Sequence, residues 1–137
     1  MSADNLWQKI KIGDTVSFEV EINQNKVKDF VSLSGDTNLL HLNHEFAVKK
    51  GFSDQVAQGM LLASYFSRLV NEFLPDHNLY LSQSLNFKKP VLIAETVIVK
   101  GKIINKIEST QMLEIETTII NQHNEEAVKG LAKVKYI

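Results

Sequence analysis

The sequence predicts an α+β fold in which one antiparallel sheet of five strands curls around a long buried helix. Three observations predict this architecture. Residues 15–22 alternate between apolar and polar side chains, which is typical of a half-buried strand. Residues 58–74 are apolar on nearly every side, which is typical of a buried helix. Four more alternating segments follow with short connections, which favour antiparallel pairing.

The segment between the first strand and the long helix is predicted to contain two shorter helices and a loop. Asn23 or Asn25 can cap the first helix, and Gly35 can end it in the left-handed conformation. Residues 36–43 show no clear period and are predicted to form a loop. A short helix that Asn43 caps and Gly51 ends is predicted to follow.

The C-terminal half is predicted to supply the other four strands. Their expected ranges are 79–87, 96–107, 111–121 and 127–136. Gly101 lies inside one of them, which indicates a bulge or a close approach of another segment to its backbone. A single curled sheet covers only part of an apolar helix, so the uncovered surface and the free sheet edge predict a homodimer.

Composition narrows the class of protein. The chain has 137 residues, which predicts one domain over residues 1–137, and its net charge of −1 gives no basic field for a nucleic-acid partner. The absence of cysteine excludes a disulfide framework and a thiolate metal site. No apolar run could cross a bilayer and the N-terminus does not resemble a signal peptide. We therefore expect a cytoplasmic protein without a membrane partner.

One segment carries a recognisable motif. Residues 34–43 read S-G-D-T-N-L-L-H-L-N, which resembles the signature S-G-D-x-N-P-x-H-x-D of MaoC-like, (R)-specific enoyl-CoA hydratases. The segments V-A-Q-G-M-L-L-A-S at 56–64 and Y-L-S-Q-S-L-N-F-K-K-P-V at 80–91 continue the resemblance, which covers nearly the whole chain from Gly13. It is strongest to the small bacterial hydratases that feed polyhydroxyalkanoate synthesis.

The resemblance implies a hot-dog fold and a reversible reaction without cofactor or metal. A trans-2-enoyl-CoA thioester would gain water and become an (R)-3-hydroxyacyl-CoA. Asp36 and His41 would hold the water, since a carboxylate and an imidazole in different environments can act as base and acid. On spacing alone, an ordinary loop acid and a half-buried histidine are the simpler interpretation of the same two residues. The sequence does not fix which of them takes the first proton.

Gly59 is the third residue that the resemblance assigns to catalysis. It stands at the start of the long helix, where free backbone N–H groups and the positive end of the dipole could stabilise the thioester oxygen. Without the resemblance, close helix packing would be the preferred explanation of this glycine.

Four further residues are predicted to support the site. Asn38 could hold the loop by side-chain-to-backbone bonds. The resemblance directs Ser64 toward the active-site aspartate, although a structural role for Ser64 and Asn38 is the simpler interpretation. Leu62 and Phe66 are candidates for the lining of an acyl tunnel.

Three positions depart from the family pattern. Leu39 replaces a proline and gives up a fixed backbone angle. Asn43 replaces an aspartate, which keeps the capping group and removes a charge. Gln58 replaces a histidine outside the catalytic pair, so we expect this change to affect local hydrogen bonding or substrate scope more than the reaction.

The remaining candidate groups have ordinary explanations. His44, His77 and His123 are predicted to be surface residues, and no metal site is expected. Lys88 and Lys89 are either a solvated strand end or a contact for the phosphates of coenzyme A.

Other functions remain open at this point. The same site could run in reverse as a dehydratase of acyl-carrier-protein thioesters. The departures at Leu39 and Gln58 leave room for a non-catalytic protein that binds acyl-CoA. Thioesterase activity is a lesser alternative, because the loop does not resemble the acid placement in hot-dog thioesterases.

Overall fold

The computed structural model describes residues 3–137, in which one helix and one strand are followed by four helices and then by five strands. In order these are α1 (Ala3–Lys9), β1 (Thr15–Glu21), α2 (Gln24–Ser34), α3 (Leu39–Leu42), α4 (His44–Lys49), α5 (Gly59–Phe73), β2 (Asn78–Gln83), β3 (Asn86–Phe87), β4 (Thr96–Ile107), β5 (Met112–Ile120) and β6 (Glu126–Tyr136). Among these described residues, no helix is both long and apolar enough to span a membrane.

All strands belong to one antiparallel sheet in the order β1-β4-β5-β6-β2, with β3 paired to β6 beside β2. The sheet therefore has six strands instead of the predicted five. The strand predicted at 79–87 is divided, because Ser84 leaves the ladder: its N–H donates to Leu131 O at 3.0 Å and its Oγ accepts from Leu131 N at 2.9 Å. Gly130 permits this approach, since a Cβ there would lie 1.7 Å from Ser84 O.

The concave face of the sheet packs against α5. Buried side chains alternate with exposed ones along most of β4 and with partly buried ones along β5, as the period of two requires. At Gly101 a Cβ would lie 2.8 Å from Phe73 Cε2 and 2.9 Å from Leu69 Cδ2, so the helix presses directly on the strand backbone. The predicted close approach is confirmed, and the register shift in β4 lies further along, between Ile103 and Asn105.

Helix α5 is buried on one face only. The buried side chains are Leu61, Leu62, Phe66, Leu69, Val70 and Phe73. On the other side Met60 is 56% exposed, and Ser64 and Ser67 are exposed as well. The single sheet therefore covers only part of the helix, as predicted, and the other face stays open in the single chain.

Strand β2 forms one edge of the sheet. Its Tyr80 packs against the core, whereas Leu79 and Leu81 point outward and are each 49% exposed. Within the described chain, β2 pairs only with β6 and leaves its outer edge without a strand. This edge and the open face of α5 thus present apolar side chains and unpaired backbone groups to their surroundings.

The capped ends of α2 determine how the chain enters the motif at residues 34–43. Asn23 caps the helix through its Oδ1, which accepts the Lys26 N–H at 2.9 Å. Gly35 ends it with φ of 77°, and its N–H donates to Val31 O at 2.8 Å. A left-handed residue at this point turns the chain sharply and brings Asp36 out of the helix.

Candidate active site

The motif is held by consecutive side-chain-to-backbone hydrogen bonds. Ser34 Oγ accepts the Asp36 N–H at 3.1 Å, and Asp36 Oδ1 accepts the Asn38 N–H at 3.1 Å. Asn38 Oδ1 then accepts the Leu40 N–H at 3.0 Å and caps α3. The predicted bonding of Asn38 to the loop backbone is present, and the capped end explains why a helical turn forms where a loop was predicted.

Two departures from the family pattern fit this local structure. Leu39 is the first residue of α3, a position that tolerates proline but does not need it. Asn43 caps α4 with its Oδ1, which accepts the Phe46 N–H at 2.8 Å. Neither substitution disrupts the helix that carries the histidine.

His41 lies on α3, and hydrogen bonds hold both its side chain and its backbone carbonyl. Its Nδ1 is 2.6 Å from Val56 O, and its own carbonyl accepts the Gln55 Nε2 at 2.8 Å. Because a carbonyl can only accept, Nδ1 carries the hydrogen and Nε2 is left to face the motif. A neutral His41 therefore presents an unprotonated nitrogen.

That nitrogen faces the carboxylate of Asp36. His41 Nε2 lies 3.6 Å from Asp36 Oδ2, and the two side chains are 12% and 42% exposed. The separation exceeds a direct hydrogen bond, so both atoms can share contact with a third atom between or beside them. Two acceptors placed this way can together orient one water molecule.

The imidazole also borders an apolar cleft of about 370 Å³ at the start of α5. Of the predicted site residues, the cleft brings together His41, Gly59 and Leu62. Residues 87–91 form the opposite wall. Asp36 is not part of the lining and reaches the cleft through its contact with His41.

Gly59 is the first residue of the 15-residue helix α5, and the Gln58 side chain does not cap this end. The first N–H groups of a helix have no acceptor within it, and the helix dipole is positive there. The Phe87 ring lies against this glycine, because a Cβ on residue 59 would be 2.8 Å from Phe87 Cε1. Gly59 thus has a packing reason for lacking a side chain, alongside the predicted oxyanion role.

Gln58 lies beneath the cleft and not in it. It is 2% exposed, and its Nε2 donates to Val27 O of α2 at 3.2 Å. Its Oε1 has no hydrogen-bond partner among the described residues. The substitution at this position therefore acts on the contact between α2 and α5.

Two predicted supporting residues are not brought to the site. The Ser64 hydroxyl donates to Leu61 O within its own helix at 2.6 Å, and the residue lies on the open face of α5. Phe66 is 1% exposed and belongs to the core, so it does not line the cleft. The predictions of a Ser64 contact with Asp36 and of a tunnel wall at Phe66 are not supported.

A second cavity of about 490 Å³ lies on the open face of α5. It shares Met60 with the cleft, and Phe30, Ala63, Tyr80 and Leu85 are among its other lining residues. This cavity is continuous with the apolar surface described for α5 and β2.

The other histidines lie apart from this site. His44 Nδ1 is 3.0 Å from Asp54 Oδ1, and this hydrogen bond lowers the pKa of Asp54. His123 is exposed as predicted, whereas His77 is half-buried with its Nδ1 3.0 Å from Ile137 O. The described part of the chain contains no group of three or more residues able to hold a metal ion.

Three features of the site were not predicted. These are the Val56 carbonyl that orients His41, the Gln55 amide that binds the His41 carbonyl, and the Phe87 ring against Gly59. Of these three, only Phe87 could have been noticed in the sequence. It is an aromatic residue at the end of the strand predicted at 79–87, just before Lys89–Pro90 interrupts the strand.

Fold and site together define a hot-dog protein with an acid–imidazole pair at the start of its central helix. The chain belongs to the MaoC-like domain family, whose model matches residues 8–125. Over 129 residues it is 35% identical to the (R)-specific enoyl-CoA hydratase of Aeromonas caviae, covering 93% of this chain and 96% of that protein.

Two further relatives extend the comparison. The solved (R)-hydratase from A. caviae involved in PHA biosynthesis matches with a TM-score of 0.91 and 34% identity, over 95% of this chain and 99% of that one. A mitochondrial 3-hydroxyacyl-(acyl-carrier-protein) dehydratase of Arabidopsis thaliana is 30% identical over 118 residues, which cover 85% of this chain and 70% of that protein.

Proposed function

We propose that this chain catalyses the (R)-specific hydration of trans-2-enoyl-CoA to (R)-3-hydroxyacyl-CoA, and the reverse dehydration. The observation that carries the proposal is the 3.6 Å approach of His41 Nε2 to Asp36 Oδ2, with the imidazole in the same cleft as Gly59. Similarity to the hydratase of Aeromonas caviae along nearly the whole chain supports the same activity.

Asp36 and His41 act on one water molecule in this proposal. The water donates a hydrogen to each of the two acceptors and directs an oxygen lone pair at C3 of the enoyl group. As the C3–O bond forms, one of the two groups takes the proton, and C2 receives a proton from the pair. Delivery of hydroxyl and hydrogen from one water places both on the same face of the double bond, which gives a single stereoisomer.

Gly59 supplies the third element. Negative charge that develops on the thioester oxygen during attack would be stabilised by the Gly59 N–H at the positive end of α5. In this proposal the absence of a side chain at residue 59 gives the substrate access to this N–H. Loss of one such donor typically lowers the rate by about 10²–10³.

The activity is tested by following the conjugated absorbance of crotonyl-CoA. We expect the purified protein to remove it, and Asp36→Asn and His41→Ala each to lower kcat by about 10²–10⁴. Asp29→Asn on α2 and His123→Ala in the last hairpin are matched controls, because both residues are exposed and outside the cleft. Equal rates for wild type and Asp36→Asn across chain lengths would refute the assignment.

A second candidate is dehydration of 3-hydroxyacyl thioesters carried by acyl carrier protein. The similarity to the Arabidopsis thaliana dehydratase favours it, and the same Asp36–His41 pair would serve in the reverse direction. Rates with crotonyl-CoA and with crotonyl carrier protein at equal concentration separate the two candidates. We expect the coenzyme A thioester to react faster.

We also propose that two copies of the chain form a homodimer. The support is the free outer edge of β2 together with the exposed side chains of Met60, Leu79 and Leu81, since unpaired edges and apolar patches of this kind favour association. Light scattering should give twice the chain mass for wild type. Leu81→Asp should give the monomer, whereas Ile12→Asp, an exposed apolar residue in a turn, should not.

The product class indicates a metabolic setting. An (R)-3-hydroxyacyl-CoA is a building block for polyhydroxyalkanoate, and the related hydratase of known structure takes part in that synthesis. We expect this chain to act in the cytoplasm on intermediates of fatty-acid metabolism. Accumulation of polymer in cells that express the chain together with a polymer synthase would support this setting, and no gain over the synthase alone would count against it.

A further inference from the structure

The wall of the cleft opposite the imidazole continues into two lysines. Lys88 and Lys89 line the same cleft as His41 and Gly59, and both are exposed at its rim. They follow Phe87 directly, whose ring lies against Gly59. Two lysines therefore line the same cleft as the proposed reacting groups.

The backbone of this wall is firmly held. The N–H groups of Lys88 and Lys89 both donate to Ala127 O of β6, at 2.7 and 3.2 Å. Val91 is fully buried, and its carbonyl accepts the Ala57 N–H at 2.8 Å, two residues before Gly59. The bases of the lysine side chains thus keep a fixed position relative to the start of α5.

These cations are only weakly neutralised by the protein. Lys89 Nζ lies 3.8 Å from Glu125 Oε2, with both side chains about half exposed, and Lys88 has no ion-pair partner within the described residues. An exposed pair at this distance contributes little. The cleft rim is therefore locally positive although the whole chain has a net charge of −1.

We propose that Lys88 and Lys89 bind the phosphates of the coenzyme A part of the substrate, with Glu125 as a competing partner of Lys89. The inference rests on the proposed hydration of enoyl-CoA. A thioester carbonyl at Gly59 places the pantetheine arm along the cleft and the phosphates beyond it, at the rim. Lysine binds phosphate as a mobile point charge and suits an exposed rim. The alternative role, a charged end that protects β3 from aggregation, requires no ligand.

The test compares crotonyl-CoA with crotonyl-pantetheine, which keeps the reacting end and lacks phosphates. For Lys88→Gln/Lys89→Gln we expect the KM for crotonyl-CoA to rise about tenfold, with kcat unchanged and crotonyl-pantetheine unaffected. Glu125→Gln should lower the KM for crotonyl-CoA by no more than about twofold and leave crotonyl-pantetheine unaffected, because the exposed Lys89–Glu125 pair is weak. Lys133→Gln/Lys135→Gln removes the same charge from exposed positions of β6 outside the cleft and should change neither substrate.

Ionic strength gives a second measurement on the same proteins. Added salt should raise the KM of wild type for crotonyl-CoA and have little effect on the double lysine variant, because screening acts on exposed charges. If the lysine variant changes both substrates equally, or neither, the inference is overturned and the hydratase assignment stands. If wild type hydrates neither thioester, the proposed function fails and the phosphate assignment fails with it.

Discussion

Phe87 and Gly59 are packed so closely that a Cβ on Gly59 would lie 2.8 Å from Phe87 Cε1. The exposed side chain of Phe87 lies beside the first residue of α5 and belongs to the wall of the cleft. The glycine and the aromatic ring therefore act as one structural unit, and a substitution at either residue changes the space next to the other.

Because Gly59 and Phe87 pack together, we expect substitutions at these two residues to have coupled effects on catalysis. In Gly59→Ala the new methyl group should push the ring into the cleft and lower kcat/KM for crotonyl-CoA about tenfold or more. Phe87→Ala should remove most of that loss when the two changes are combined, which a double-mutant cycle measures directly. Purely additive effects would show that the methyl group disturbs the N–H itself and not the ring.

Asn38 is expected to position the histidine and not to contact the substrate. Asn38→Ala removes the cap of α3 and should destabilise the protein by about 1 kcal/mol. Because α3 carries His41, kcat should fall severalfold while KM changes little. Asn38→Ser retains a capping oxygen and should recover most of both losses in urea unfolding and in steady-state kinetics; no recovery with serine would contradict a capping role.

Because the Tyr80 hydroxyl is partly buried, we expect the free energy of unfolding to fall at alkaline pH. Burial raises the pKa of Tyr80 to about 12, and its hydroxyl donates to Gln83 Oε1. The unfolded chain loses this proton near its ordinary pKa of 10, so folding keeps the proton bound and stability declines from about pH 10 to pH 12. Stability measured by urea unfolding should fall less over this range in Tyr80→Phe.

The same substitution also has an effect at neutral pH. Tyr80→Phe leaves Gln83 Oε1 without its donor, which should cost about 1 kcal/mol at pH 7. The difference between wild type and variant should shrink as the pH rises to 12. A constant difference across the range would show that Tyr80 titrates as in the unfolded chain.

Met60 lines both the cleft and the second cavity on the open face of α5. Met60→Ala should join the two spaces and raise kcat/KM for octenoyl-CoA relative to crotonyl-CoA, severalfold since each added methylene contributes modestly. Leu33→Ala removes an exposed apolar side chain outside both spaces and serves as the control. An unchanged ratio would place the acyl chain elsewhere.

Much of the fold follows from local pattern. The periods of the strands and of α5, the glycine at the end of α2 and the caps at Asn23 and Asn43 all depend on neighbours in sequence, and the structure has them where they were predicted. The division of β2 from β3 could not be predicted, because it depends on a contact between Ser84 and Leu131, which are distant in sequence.

In the site, too, some features follow from a local sequence pattern and others depend on contacts between distant residues. The approach of Asp36 to His41 could be predicted because one short motif carries both residues. The structure does not bring Ser64 to the cleft because of its position around the helix. Leu62 follows Gly59 by three positions and lies on the same face. Ser64 follows Gly59 by five positions and lies on the other face. The Val56 carbonyl that orients His41 has no side-chain signature at all.

The Val56 carbonyl, which accepts the hydrogen bond from His41 Nδ1, lies just before the central helix, with only Ala57 and Gln58 between Val56 and Gly59. The carbonyl that orients the imidazole and the amide proposed to stabilise the thioester oxygen are therefore separated by only two residues, so a displacement of one also displaces the other. On heating, or after a distant substitution, kcat should consequently fall in one cooperative transition. We expect no range of conditions in which a partly loosened site retains a low kcat.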